Sequence, residues 1–151
     1  MELSSEKTRI IPFGRFKGDD DDFDFLGFTF YNTKTLSGKY RIGVRTSKKK
    51  LKAKRQACRE WLRKRLLKPI AETMEKLAAV LRGHYNYYGV SGNIKKITNF
   101  WLYVKESCFK MFNRRSQKRS MKSETYQRIW NYYIPNPKIT VNIWGAIPKL
   151  V

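Results

Sequence analysis

Histidine occurs once in this chain, at His84, and cysteine twice, at Cys58 and Cys108. A single imidazole excludes a His-rich metal site, and it excludes a Ser-His-Asp relay unless that side chain acts alone. The cysteines form neither a Cys-x-x-Cys pair nor a Cys/His cluster, which removes structural zinc. Each lies on a helix-like apolar stripe and reads as a buried free thiol in a reducing compartment. No apolar run approaches about 20 residues, so no transmembrane span is expected. The opening Met1-Glu2-Leu3-Ser4-Ser5-Glu6-Lys7 lacks the h-region of a secretory signal. Aspartate is absent after Asp24, and Asp and Glu together number only 12 against 33 Lys and Arg.

What is present is positive charge, unevenly placed. The net charge is +21, yet residues 1–44 hold seven cations and seven anions; the remaining 26 basic and five acidic residues all follow. A segment so charged repels itself, so a polyanionic partner is the natural reason to keep it, with nucleic acid first. Hydrophobic residues at 41% supply a core, which argues against a disordered basic tail. Aromatics at 15% are numerous enough to furnish both that core and surfaces on which bases stack.

Thr8-Arg9-Ile10-Ile11-Pro12-Phe13 reads as a short strand stopped by Pro12 and Gly14. Residues 19–22 are four consecutive aspartates, a solvated loop because adjacent carboxylates resist burial. A two-metal site needs carboxylates converging from rigid elements, which a flexible tetrad does not provide. Phe23 to Tyr31 is strand-like, 32–38 is a polar turn, and Lys39-Tyr40-Arg41-Ile42-Gly43-Val44 returns, giving a hairpin with a longish loop. From Thr46 or Ser47 the period turns helical: Leu51, Cys58, Trp61 and Leu62 share a face, and Pro69 bounds the basic 48–68 segment. Ile70, Met74, Leu77, Ala78 and Leu81 mark a second helix ending near Gly89. Asn93 is placed to cap a third, with Ile97, Trp101, Val104, Cys108 and Met111 on its buried stripe. A basic loop over 113–120 precedes a short helix from Ser123 carrying Tyr126, Ile129, Trp130 and Tyr133, ended by Pro135 and Pro137. Ile139, Val141 and Ile143 alternate like an extended arm. The expected fold is mainly α: a basic three- to four-helix bundle preceded by a small N-terminal β-hairpin region.

Two stretches stand out. In Leu81-Arg82-Gly83-His84-Tyr85-Asn86-Tyr87-Tyr88-Gly89, Gly83 permits close helix approach and three tyrosines gather at a helix end; plain aromatic core packing is the competing reading. Asn113-Arg114-Arg115-Ser116-Gln117-Lys118-Arg119-Ser120 joins four cations to neutral hydrogen-bonding side chains, a combination suited to phosphate and sugar, with a solvated charge run as the alternative.

With these residues, in this order and spacing, the chain resembles the carboxy-terminal part of group II intron-encoded reverse transcriptase/maturases. Ser5-Glu6-Lys7-Thr8 and Phe23-Asp24-Phe25-Leu26-Gly27-Phe28 resemble the family's last reverse-transcriptase motif. The resemblance implies three parts: 1–44 as the end of a polymerase palm, 45–136 as the maturase-specific thumb, and 137–151 as an extended tail. The family's Tyr-Ala-Asp-Asp-type motif and its partner aspartate are missing from this sequence. The resemblance therefore implies a truncated frame or excised fragment without polymerase activity of its own. No cofactor is implied, magnesium being expected only with the missing palm or with the RNA. The implied partner is structured group II intron RNA, together with a template–primer duplex and a separately encoded palm, and no membrane. The implied compartment is the cytoplasm of a bacterial-type cell, or an organelle.

The residues expected to carry RNA are Lys48, Lys49, Lys50, Lys52, Arg55, Arg59 and Arg63 as a phosphate-tracking face. Arg82, His84, Tyr85, Arg114, Arg115, Lys118 and Arg119 are expected to form a more shape-dependent surface. Phe25, Leu26, Gly27 and Phe28 resemble the hairpin that supports the primer end, and no residue is assigned to catalysis or metal. Four other readings stay open: a reverse transcriptase in its own right, a DNA-binding module using a basic helix in the major groove, a DNA- or RNA-binding basic domain without specificity, and an inactive remnant.

Overall fold

The computed structural model describes residues 22–114 and 120–141. The readings made above for residues 1–21, 115–119 and 142–151 lie outside these. Three antiparallel strands in the order β1 (Asp22–Phe25), β2 (Phe28–Lys34) and β3 (Tyr40–Thr46) precede four helices, α1 (Lys48–Arg63), α2 (Ile70–Tyr88), α3 (Ile94–Arg114) and α4 (Ser123–Tyr133). The architecture is helical behind a small sheet, as the patterning predicts.

The aromatic run from Phe23 to Tyr31 is two strands rather than one. Phe25 pairs with Phe28 across a two-residue turn in which Leu26 (φ 53°) and Gly27 (φ 86°) are both left-handed. Such a turn matches the twist of a tight hairpin. Gly27 accepts that conformation freely, whereas Leu26 is an uncommon occupant and is retained by contacts from outside the sheet. The Ser47 amide donates to the Gly27 carbonyl at 2.9 Å, and the Tyr87 hydroxyl donates to the Leu26 carbonyl at 2.7 Å.

Ser47 caps α1, its hydroxyl accepting from the Lys50 amide at 3.2 Å. The helix stops at Arg63, short of Pro69. Residues 64–68 form turns closed by Arg65 N–H to the Leu62 carbonyl and Lys68 N–H to the Arg65 carbonyl. Asn93 stands at the start of α3, and its carbonyl accepts from the Ile97 amide. Its side chain, however, turns away from the helix to β3 and the end of α2, so the expected side-chain cap is not formed.

The core lies where α1 and α2 meet α3, and α4 closes it through Tyr126 and Trp130. Met74, Leu77, Leu81, Ile97 and Val104 are essentially inaccessible, which is the apolar-stripe arithmetic of the sequence realised. Cys58 and Cys108 are free and buried; burial pushes their thiols up to about 11 and about 12, so neither is a reactive thiolate. Beyond α4 the chain runs back along the end of α2. Thr140 and Val141 amides donate to the Gly89 carbonyl, and Val141 bridges Val90 in parallel. A Cβ on Gly89 would strike the Tyr85 carbonyl oxygen and lie 2.9 Å from that of Lys138. Gly89 therefore ends α2 and admits the returning segment. Among the described residues no helix is long and apolar enough to cross a membrane.

Candidate nucleic-acid interface

On α1 the apolar stripe of Leu51, Cys58 and Leu62 faces the core, and at 100° per residue the positions beside it form two flanks. Lys48, Lys52, Arg55, Arg59 and Arg63 fall on one flank. That flank meets α3, which runs parallel to α1: Lys96 lies near Lys48 and Arg55, while Lys110 and Arg114 line the same hollow as Arg59 and Arg63. Tyr103 stands midway, with the Arg55 guanidinium 5.3 Å from its ring centre and Lys52 in the same depression. The result is a groove with cations along both walls, about 20 Å long at 1.5 Å per helical residue.

Few anions answer these cations. Among the described residues Glu60 is the one carboxylate lining this groove, and no ion pair engages Lys48, Lys52, Arg59, Arg63, Lys110 or Arg114. Burial, then the neighbouring Arg45, Lys48, Lys95 and Arg55, lower the pKa of Lys96. Mutual repulsion of this kind is relieved when an anion enters. The first turn of α1 carries three lysines and no acid, against the helix dipole. Self-contained stability would not select that arrangement. Arginine forks, lysine points and the hydroxyls of Tyr103 and Ser107 are the donor set for a sugar–phosphate backbone.

The structure brings together expected residues from two separate stretches, since Arg114 joins the α1 cations across the groove. Arg115, Lys118 and Arg119 lie outside the described residues. Lys49 and Lys50 are exposed on α1 off the groove stripe, and Arg82 is exposed on α2 and lines neither wall. His84 and Tyr85 are buried, at 4% and 1% exposure, and do not reach the surface as drawn from the sequence. Tyr85 donates to the Pro135 carbonyl at 2.9 Å and so fastens the returning segment. The His84 ring lies between Phe100 and Tyr88. Gly83 is exposed, and a Cβ there would meet nothing, so close helix approach is not its role.

Phe25 and Leu26 are exposed at the hairpin tip, while Gly27 and Phe28 turn inward. Phe28 stacks on Tyr87 at 5.5 Å and tilts against Tyr88 at 5.1 Å. The Phe-Leu-Gly-Phe turn and the tyrosine cluster, separate in sequence, are thus one packed unit.

Lys96, Tyr103, Ser107 and Lys110 were not among the expected residues. With Arg114 they recur at i, i+7, i+11, i+14 and i+18, a polar stripe beside the buried one on α3, and that spacing was the signal available to find them.

The sequence model of the group II intron maturase-specific domain matches residues 51–133, from the first turn of α1 to the end of α4. No curated protein and no solved structure matches the chain. The matched segment is more than half of the chain and holds both walls of the cationic groove except Lys48, and the chain belongs to the group II intron maturase family.

Proposed function

We propose that this chain binds structured group II intron RNA in the α1–α3 groove and helps that RNA reach its splicing-competent fold. The observation that carries the reading is the pairing of two parallel cationic stripes, where Glu60 is the single carboxylate in the lining among the described residues. Each stripe is a rigid helix face, so the cations are held at fixed spacing and favour RNA whose phosphates match it. Binding a folded RNA better than its misfolded forms shifts the population toward the folded one by that difference in affinity. The chemistry of splicing stays with the RNA. The exposed tip at Phe25 and Leu26, held by Tyr87 and Ser47, would face a primer end or a separately supplied palm.

The test is binding of the purified chain to a panel of group II intron RNAs and unrelated structured RNAs of equal length, over a range of salt. Engaging about six phosphates should weaken binding by about 10³-fold between 50 and 200 mM salt. Intron RNA should also retain an advantage at physiological salt. Equal affinity for intron and control RNAs would overturn the maturase reading and leave the generic basic-domain reading.

A further inference from the structure

The α1–α3 groove is layered by chemistry from rim to floor. Arg59, Arg63, Lys110 and Arg114 are exposed along its rims, Tyr103 and Ser107 are half-buried, and Leu62 and Met111 are buried at the bottom. Around α3, at 100° per residue, Ser107 is the groove-stripe residue nearest Val104 and Met111 on the buried face, and so the deepest polar side chain of that wall. The hollow that these side chains line has a volume of about 170 Å³. About 150 Å³ admits benzene, so one ribose ring has room.

The two hydroxyls stand where the α3 stripe interrupts its cations, between Lys96 and Lys110. Among the described residues neither has a hydrogen-bond partner. That of Ser107 is not engaged by the carbonyl one turn back, a common partner of a serine inside a helix. Each offers one O–H donor and acceptor lone pairs. The helices α1 and α3 pack directly against each other, with about 8–10 Å between axes for such a pair. The notch between them therefore admits the edge of one sugar–phosphate backbone and not a whole duplex.

Rim cations hold phosphates of RNA and DNA alike, positioning a strand without reading its sugar. A neutral hydroxyl below the rim meets the sugar instead. The 2′-hydroxyl, itself donor and acceptor, is what separates ribose from deoxyribose. We propose that Ser107, with Tyr103 one turn away, hydrogen-bonds a ribose 2′-hydroxyl of the strand lying in the groove and so makes the groove select RNA over DNA. The proposal rests on the reading of this groove as the RNA-binding surface. With deoxyribose in the same place, the strand would cover the Ser107 hydroxyl from water and give it no partner, which costs affinity.

The experiment measures binding of the purified chain to one group II intron stem-loop synthesised in three forms, all-ribose, all-2′-fluoro and all-2′-deoxy. The fluoro form keeps the sugar pucker and helix of RNA but has no 2′-hydroxyl, so it separates hydroxyl recognition from helix shape. The parent should favour the ribose form over the other two by about fivefold, the worth of one neutral hydrogen bond. Ser107→Ala, a substitution that favours the helix, should bring the ribose-to-fluoro ratio to about one. Ser107→Thr retains a hydroxyl and should retain the ratio, while Tyr103→Phe should lower it in part. Arg59→Ala should weaken all three forms alike and keep the ratio. A parent that binds the ribose form no better than the fluoro or the deoxy form, or a ratio that survives Ser107→Ala, overturns the proposal and leaves the groove reading standing. Failure of the parent to bind any form overturns the groove reading itself and this proposal with it.

Discussion

Asn93 and Thr46 hold one another by two hydrogen bonds of 2.8 Å: the Thr46 amide donates to Asn93 Oδ1, and Asn93 Nδ2 donates to Thr46 Oγ1. Nδ2 also donates to the Tyr88 carbonyl at 2.8 Å, and both residues are 0% exposed. One amide side chain therefore ties the end of β3, the end of α2 and the start of α3. Replacing it with alanine leaves the Thr46 amide buried without its partner and the Tyr88 carbonyl with the Val90 amide alone. Asn93→Ala should cost about 2 kcal/mol, since a buried group left unpaired costs about 1–3 kcal/mol. Urea unfolding monitored by circular dichroism checks this, and a loss below about 0.5 kcal/mol would contradict the clamp.

That clamp marks the limit of what the sequence discloses. The helices are legible because burying one face requires apolar residues at helical spacing, and Met74, Leu77 and Leu81 display it without ambiguity. The end of α2 is legible because Gly89 is where a returning segment can pass. The Leu26–Gly27 turn is not, since leucine is a poor signal for a left-handed position and only the neighbours Tyr87 and Ser47 retain it there. Asn93 reads as a helix cap because that is the local use of asparagine; its actual partner is 47 residues away. The groove is half legible: the α1 cations are plain, but their facing wall depends on how α3 packs against α1, which periodicity does not specify.

If the groove carries RNA, Arg59→Ala with Arg63→Ala should weaken binding and also flatten its salt dependence. Each lost phosphate contact lowers the slope of log K against log salt by about 0.7–0.9, so the double variant should lose about 1.5. Arg82→Ala, exposed on α2 outside the groove, should change that slope little. Filter binding at several salt concentrations measures all three. An Arg82 effect equal to that of the groove pair would place the RNA elsewhere.

Gly83 within α2 and Gly89 just past its end should respond oppositely to alanine. Gly83 is helical and exposed, with nothing near its absent Cβ, so Gly83→Ala should stabilise by about 0.5–1 kcal/mol. Gly89→Ala forces a methyl group against the Tyr85 and Lys138 carbonyls, and should destabilise by about 2 kcal/mol while releasing the 138–141 segment. Thermal melts give the signs directly. Faster proteolysis after residue 134 in the Gly89 variant would report the release.

His84 should make stability fall as the pH drops from 6.5 toward 4. Burial first, and Lys54 second, lower its pKa from 6.5 to about 4 in the folded chain. Between those values the unfolded chain binds a proton that the folded chain refuses, so protons favour unfolding. The contribution is complete above about pH 6.5, declines as the pH falls, and levels off below about 4. A shift of this size corresponds to at most about 3 kcal/mol; with partial solvation of the ring the expected loss is of order 2 kcal/mol. His84→Phe removes the titration while keeping a ring between Phe100 and Tyr88. The difference in unfolding free energy between parent and variant, measured by urea titration at pH 7 and pH 4.5, isolates the effect from the carboxylates that also titrate there. The parent should lose about 2 kcal/mol more than the variant, and an equal loss in both would show that the imidazole accepts its proton without leaving the stack.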